Sequence, residues 1–157
     1  MDRDSRDDVD HRNLDGAGQH GRGGTDGPID YRISEPVSGS ALARLMDESW
    51  PDHAAMDPAV LERHSAGWVC AYDGDRLVGF VNVAWDGGTH FFLLDTTVVP
   101  SHRRRGIGGR LVEEAVALSR RRGGDWLHVD YDDELTSFYE GCGFRPTPAG
   151  LIQLYDD

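Results

Sequence analysis

The sequence contains no lysine, and arginine accounts for all 16 of its basic residues. An enzyme that forms a Schiff base through lysine is therefore excluded, as is a Walker-type nucleotide site, whose loop requires a lysine. The two cysteines, Cys70 and Cys142, form neither a disulfide framework nor a set of metal ligands with the usual spacing. The histidines of the domain show no such spacing either, so no metal site is predicted.

Long hydrophobic runs are also missing. No apolar segment approaches the ~20 residues that a membrane-spanning helix needs, and the first six residues contain no apolar signal-peptide core. We therefore expect a cytoplasmic protein without a membrane partner. Residues 1–28 are rich in aspartate, arginine, glycine and histidine and cannot bury a core, which predicts a disordered tail. Residues 29–157 are long enough for one domain.

The net charge of −12 is distributed unevenly along the chain. Residues 101–124 hold seven arginines and two glutamates, whereas the rest of the domain is predominantly acidic. An acidic body disfavours nucleic acid and favours a cationic partner such as an amine. No aromatic residue interleaves the arginines, which also argues against a nucleic-acid surface. The alternative is that the acidic surface serves only solubility.

Hydrophobic periodicity predicts an α+β (α/β) domain. Helix starts are marked by Ser38 or Ser40, by Asp57 followed by Pro58, and by a glycine-rich loop before residue 107. The predicted helices follow Ser38 or Ser40, run from Pro58 towards Gly67, and cover 107–122 and 135–141. The predicted strands cover 29–33, 68–72, 76–85, 89–99, 126–130, 144–147 and 151–154, the last two as a hairpin.

The order of these elements predicts a mixed, mostly antiparallel sheet of about six to seven strands, flanked by about four helices. Turns of three residues join the strands at 68–72, 76–85 and 89–99, so these three strands form an antiparallel meander. The strand at 126–130 is reached through a helix, and we therefore expect it to lie parallel to the strand at 89–99.

Residues 95–111 predict a binding site for phosphate. This stretch leaves a strand, turns at Pro100 and passes through an arginine- and glycine-rich loop into the helix at 107–122. Free backbone N–H groups at a helix start attract anions, and the helix dipole adds about half a positive charge. Gly106 and Gly108 let the backbone approach a ligand closely, while the arginines supply full charges for a diphosphate.

Three glycine-rich patterns compete for this loop. The missing lysine excludes a Walker loop, and Leu111 stands where a dinucleotide fingerprint has its third glycine. The third pattern, Arg-x-x-Gly-x-Gly at Arg103, Gly106 and Gly108, resembles the pyrophosphate loop of the GNAT N-acetyltransferase superfamily. A second segment, SFYEGCGF at residues 137–144, is similar to the Phe-Tyr-x-x-x-Gly-Phe segment of the same family.

The resemblance covers residues 29–155 and implies an acyl-CoA N-acyltransferase fold. In that fold the strand ending at Val99 and the strand at 126–130 splay apart, and the pantetheine arm of acetyl-CoA fills the gap. The implied reaction transfers an acetyl group from acetyl-CoA to a primary amine of a small molecule or peptide, by direct attack in a ternary complex and without a metal. The residues then expected to bind acetyl-CoA are Thr97, Val98, Val99, Arg103, Arg104, Arg105, Gly106, Ile107, Gly108, Gly109, Arg110 and Phe138.

The same resemblance assigns Tyr139 as the acid that protonates the departing thiolate, a role that a phenol with a pKa near 10 suits. Packing beside Phe138 and Phe144 is the alternative role for this ring. The backbone N–H of Val98 is the expected donor to the carbonyl oxygen of the acetyl group.

The candidate base is Asp95. Some members of the family carry Glu-Asp where Leu94 and Asp95 stand here, so only one of the two carboxylates is present. We expect Asp95 either to remove the amine proton through water or to bind a cationic acceptor, with a purely structural role as the alternative. Asp130 is the second candidate base, and the nearby His128 has a suitable ordinary pKa.

The acceptor pocket is expected around residues 50–53, between the first two helices. Trp85, Phe91 and Phe92 are further candidates for its lining, with core packing as their alternative role. Related proteins often dimerise, so a homodimer is also expected. Two other functions stay open at this point: a non-catalytic acyl-CoA-binding regulatory module of the same fold, and a phosphate site for a free nucleotide.

Overall fold

The computed structural model of the protein describes residues 27–50, 52–53 and 56–154. The predicted tail at 1–28 lies almost entirely outside these residues, so its disorder and the domain boundary remain predictions. The elements in chain order are β1 (Asp30–Ile33), α1 (Gly39–Ser49), α2 (Pro58–His64), β2 (Ser65–Asp73), β3 (Arg76–Trp85), β4 (His90–Val98), a 3-10 turn (Pro100–His102), α3 (Ile107–Arg121), β5 (Trp126–His128), a second 3-10 turn (Asp133–Leu135) and α4 (Thr136–Gly141).

The five strands form one mixed sheet in the order β1-β2-β3-β4-β5. The first four are antiparallel neighbours, and β5 lies parallel to β4 because α3 carries the chain back across the sheet. This confirms the predicted α+β class, the meander and the parallel pair. None of the helices in the described part of the chain has both the length and the apolar character needed to cross a membrane.

Helices cover both faces of the sheet, as neighbouring residues of β4 show. Thr97 contacts Met46 of α1, whereas the side chain of Val98 lies beside Gly108 at the start of α3. Successive side chains of a strand point to opposite faces, so α1 and α3 pack on opposite sides. The core between these layers is built from fully buried residues such as Phe80, Leu42 and Leu111.

Local sequence signals set the helix starts. The Ser38 hydroxyl accepts a hydrogen bond of 3.1 Å from the Ala41 N–H, and the Asp57 carboxylate accepts one of 2.9 Å from the Ala59 N–H. Each of these bonds satisfies one of the free N–H groups of a first helical turn. The two caps were predicted, although α2 ends at His64 rather than at Gly67 because β2 begins directly after it.

The sheet has fewer strands than predicted. The hairpin expected at 144–147 and 151–154 is wrong, since residues 144–154 form no strand in the structure. Pro146 and Pro148 lie in the first of these segments or directly after it, and proline cannot donate a ladder hydrogen bond. The apolar residues of the second segment, Leu151, Ile152 and Leu154, are 82–93% exposed.

Candidate active site

The parallel pair β4–β5 opens into a cavity. The two strands pair only from His90 with Trp126 to Phe92 with His128 in the described residues, and they diverge beyond that point. The cavity between their ends has a volume of about 420 Å³. Its walls include the residues Trp50, Leu94, Asp95, Asp130, Asp132 and Tyr139. The structure therefore brings all three predicted catalytic residues to one place.

A β-bulge directs Asp95 into this cavity. Leu94 pairs with Asn82 and Thr97 pairs with Phe80, so two residues of β4 oppose the single residue between those partners in β3. Asp95 adopts a left-handed backbone conformation with φ 55°, which aspartate tolerates better than most residues. The Thr97 hydroxyl donates a 3.0 Å hydrogen bond to the Asp95 carbonyl and supports this turn of the strand.

The surroundings of Asp95 change its acidity. Part of the side chain is open to solvent at the cavity, but the protein atoms around the carboxyl raise its pKa by desolvation. The charge of His53 acts in the opposite direction and lowers the pKa. The net result is a carboxyl that holds its proton to a higher pH than a free aspartate does.

Tyr139 lies in an aromatic cluster at the other side of the cavity. Its ring stacks on Tyr131 at 4.7 Å and meets Phe138 and Phe144 edge-on at 4.9 and 5.7 Å, and it is only 5% exposed. Burial raises the pKa of the phenol, and a hydrogen bond with the Thr96 side chain partly opposes this shift. The hydroxyl therefore remains protonated at neutral pH, as a proton donor must. Both proposed roles, packing and acid, fit this position.

The end of β4 presents a backbone N–H to the gap. The Val99 N–H donates to the Val78 carbonyl oxygen at 3.0 Å, and successive N–H groups of a strand point to opposite sides. The Val98 N–H therefore points away from β3 and towards the gap beside β5. The Val98 carbonyl points the same way and accepts a 3.0 Å hydrogen bond from Nε of Arg103. The loop is thus joined to the strand that lines the cavity.

The arginine- and glycine-rich loop leads directly into α3. Gly106 has a left-handed backbone (φ 78°) and precedes the helix, whose first internal bond runs from the Arg110 N–H to the Gly106 carbonyl. The N–H groups of the residues between them lie at the positive end of the helix. A Cβ atom added to Gly106 or Gly109 would meet no other atom within 4 Å, so the backbone here is open to a ligand.

Two of the predicted loop contacts have additional partners within the protein. The guanidinium of Arg110 bonds Glu113 at 2.8 Å and Glu114 at 2.6 Å, both one turn further along α3. A Cβ atom on Gly108 would lie 3.3 Å from the Phe138 ring, so this glycine lets α4 approach α3 closely. Phe138 therefore packs against the first turn of α3.

Sequence reasoning missed two contacts that hold the site. His102 is buried, and its Nε2 lies 3.0 Å from Oδ2 of Asp73. The indole Nε1 of Trp50 donates a 3.0 Å hydrogen bond to the Thr97 hydroxyl. The partners are 29 and 47 residues apart in the chain, and no local pattern indicates such pairs.

Some candidates lie outside the cavity. Phe91 is wholly buried in the core and Trp85 packs against it at 5.7 Å, while Phe92 stacks on His128.

Burial raises the pKa of the Cys70 thiol to about 12, so Cys70 is a packing residue rather than a nucleophile. Within the described ranges, no group of three or more His, Cys, Asp or Glu residues could hold a metal.

Comparisons with known proteins agree with this geometry. The family model described as "Acetyltransferase (GNAT) family" matches residues 37–144. A GNAT family acetyltransferase structure from Streptococcus pneumoniae is 25% identical, with a TM-score of 0.67 over 83% of this chain and 100% of that one. No curated protein matches the sequence.

Two further solved structures show the shared fold. An aminoglycoside N-acetyltransferase in complex with CoA is 19% identical, with a TM-score of 0.68 over 82% of this chain and 95% of that one. The glucosamine-6-phosphate N-acetyltransferase from Arabidopsis thaliana is 15% identical, with a TM-score of 0.64 over 81% of this chain and 99% of that one. At these identities the likeness concerns the fold alone.

Proposed function

Since the chain belongs to the GNAT acetyltransferase family, we propose that it transfers the acetyl group of acetyl-CoA to the primary amine of a small molecule or peptide by direct attack in a ternary complex. The observation that carries the proposal is the cavity where β4 and β5 separate. Asp95, Asp130 and Tyr139 all line it, and β4 leads from it straight into the arginine- and glycine-rich loop.

The residues fit acetyl-CoA as co-substrate. The N–H groups at the start of α3 and the charges of Arg103, Arg104 and Arg105 suit its phosphates. The open space above Gly106 and Gly109 leaves room for a diphosphate at this helix end. The gap between β4 and β5 suits an extended pantetheine arm, because the Val98 N–H faces into it. Val98 would also donate to the carbonyl oxygen as negative charge develops there.

The cavity residues supply the proton transfers. Asp95, or Asp130 beside it, accepts the proton that the amine loses as its nitrogen bonds to the acetyl carbon. Tyr139 donates its phenolic proton to the sulfur as the carbon–sulfur bond breaks, so the products are an amide and a neutral thiol. The raised pKa of Tyr139 keeps this proton in place before the reaction.

The lining also favours a particular class of acceptor. Three carboxylates, Asp95, Asp130 and Asp132, face the cavity, and none of the described lining residues is lysine or arginine. We propose an amine that carries a further positive charge, such as a diamine, a polyamine or an aminoglycoside. A phosphorylated amine is disfavoured because its negative charge would meet these carboxylates.

A thiol-release assay tests the proposal. Acetyl-CoA is combined with spermidine, a diamine, an aminoglycoside and glucosamine 6-phosphate, and free CoA is measured. The expected result is turnover with at least one of the cationic amines and none with the phosphorylated one. If acetyl-CoA raises the melting temperature but no amine is acetylated, the regulatory-module alternative is favoured instead. If acetyl-CoA neither stabilises the protein nor turns over, and ATP does stabilise it, the free-nucleotide alternative replaces both.

A further inference from the structure

Trp50, the residue that follows α1, is joined by its indole to the middle of the sheet. Its Nε1–H donates a 3.0 Å hydrogen bond to Oγ1 of Thr97 in β4. Trp50 is 45% exposed and forms part of the cavity wall, whereas Thr97 is only 2% exposed. A residue of the acceptor pocket is thus fixed to the strand that carries the candidate base.

The Thr97 hydroxyl that accepts this bond also bonds to the β-bulge at Asp95. It donates its hydrogen to the Asp95 carbonyl at 3.0 Å, and the Met46 sulfur at 3.8 Å is a weaker acceptor. The bond holds the peptide that follows Asp95, whose left-handed backbone is unfavourable for most side chains. Trp50, Thr97 and Asp95 therefore form one chain of hydrogen bonds from the cavity wall to the candidate base.

Packing alone does not require these polar groups. A half-exposed indole can donate to water, and valine would fill the space of Thr97 without a hydroxyl that needs partners. The bond instead fixes where the indole lies in the wall that it shares with Asp95 and Asp130. An aromatic ring near carboxylates is suited to an ammonium group and the carbon chain that bears it.

We propose that Trp50 determines the specificity for the acceptor amine and that Thr97 is a positioning residue for both the Trp50 indole and the Asp95 backbone. The inference rests on the proposed function, because it concerns the acceptor of that reaction. The ligand class that it assigns to the indole is the charged or alkyl part of the amine beyond the reacting nitrogen.

Kinetics of matched variants test this assignment. Trp50→Phe keeps a ring but loses the N–H, and we expect the KM for a cationic amine to rise about 5-fold, the effect of one lost hydrogen bond, with the KM for acetyl-CoA unchanged. Thr97→Val should give the same rise in the amine KM and also lower kcat, whereas Thr97→Ser should restore both. Trp85→Phe is the control, because that indole lies outside the cavity and should leave all three constants unchanged.

A second measurement does not depend on activity. The chain has four tryptophans and should show four indole N–H signals in a proton–nitrogen NMR spectrum, of which Trp50→Phe removes the one to be followed. Thr97→Val should shift that signal and accelerate its exchange with water, and Thr97→Ser should not. If Thr97→Val does not fold, Trp50→Phe tests the same bond from its other end.

The outcomes separate the two hypotheses. If the wild-type chain acetylates no amine, the proposed function fails and the specificity role fails with it. Turnover with an amine KM that Trp50→Phe leaves unchanged overturns the specificity role alone. An indole signal that Thr97→Val leaves in place overturns the positioning role of Thr97.

Discussion

The imidazole Nε2 of His102 lies 3.0 Å from the carboxylate oxygen Oδ2 of Asp73, and both side chains are almost buried. The second ring nitrogen, Nδ1, lies 2.9 Å from the Ser101 hydroxyl. Asp73 ends β2, and His102 ends the 3-10 turn before the arginine- and glycine-rich loop. The pair therefore anchors this loop to the turn between β2 and β3. A loop held in this way loses less conformational entropy when it binds a ligand.

Replacing His102 by leucine should weaken both the fold and the loop. We expect the free energy of unfolding in urea to fall by about 1–3 kcal/mol, because the Asp73 carboxylate loses a buried hydrogen-bond partner. The affinity for acetyl-CoA, measured by calorimetry, should fall as well. His64→Leu is the control, since His64 is exposed at the end of α2 and its replacement should change stability by less than about 0.5 kcal/mol. Equal losses in the two variants would contradict the anchoring role.

The pH dependence of acetyl transfer should follow Asp95 on its acidic side. Because burial raises the pKa of this carboxyl, the carboxylate that accepts a proton forms at a higher pH than in a free aspartate. The value of kcat/KM should therefore rise with pH through that region. Asp95→Asn should abolish this rise of kcat/KM with pH and lower kcat by about 10²-fold. Acceptors whose amines differ in pKa separate this effect from the ionisation of the amine itself.

The same substitution should stabilise the protein. Asp95 holds its proton more tightly in the folded state than in the unfolded state, so stability falls as pH rises from the ordinary aspartate pKa to the raised one. Above the raised pKa this part of the stability is completely lost, and below the ordinary aspartate pKa none of it is lost. Asn tolerates the left-handed backbone as Asp does. Asp95→Asn should thus unfold at higher urea than wild type at neutral pH and at the same urea in strong acid. No difference at neutral pH would mean that the carboxyl is not desolvated.

Features that depend on nearby residues could be predicted from the sequence. The Ser38 cap, the Asp57-Pro58 helix start and the turn at Pro100 involve residues within a few positions of one another. Gly106, which directly precedes α3, belongs to the same group, because its left-handed conformation is a local requirement of the turn. The order of the elements then predicted that β4 and β5 are parallel, and the sheet opens where these two strands separate.

What could not be predicted depends on distant parts of the chain. Two hydrogen bonds, one between Trp50 and Thr97 and one between His102 and Asp73, join residues that are far apart in sequence. In the sequence alone, each of these four residues resembles an ordinary surface or strand residue. The bulge at Asp95 carries no glycine that would indicate it. The C-terminal hairpin was predicted from two short segments and the turn residues Pro148 and Gly150 between them, and these local signals do not show whether a neighbouring strand offers a pairing edge.

Tyr139→Phe separates the two roles of this ring. Phenylalanine keeps the stacking on Tyr131 and the edge-on contact with Phe144, so the free energy of unfolding should fall by no more than about 1 kcal/mol, the effect of the lost hydrogen bond with Thr96. The proton for the departing thiolate is lost, and kcat should fall by about 10–10²-fold while the KM for acetyl-CoA stays the same. Steady-state kinetics and urea denaturation of one preparation provide both values. An unchanged kcat would assign Tyr139 to packing only.

Gly109→Ala should separate folding from co-substrate binding. Gly109 lies in the first turn of α3, and a Cβ atom there meets nothing within 4 Å. Alanine therefore fits the free protein and should raise its unfolding free energy by roughly 0.5 kcal/mol through better helix propensity. If the phosphates of acetyl-CoA lie against this turn, as proposed, the added methyl group crowds them and the affinity for acetyl-CoA should fall about 10-fold or more. Gly39→Ala is the matched control in the first turn of α1, where the new Cβ atom makes only an ordinary contact with Pro58. If both variants bind acetyl-CoA as tightly as wild type, the phosphates do not lie on this turn of α3.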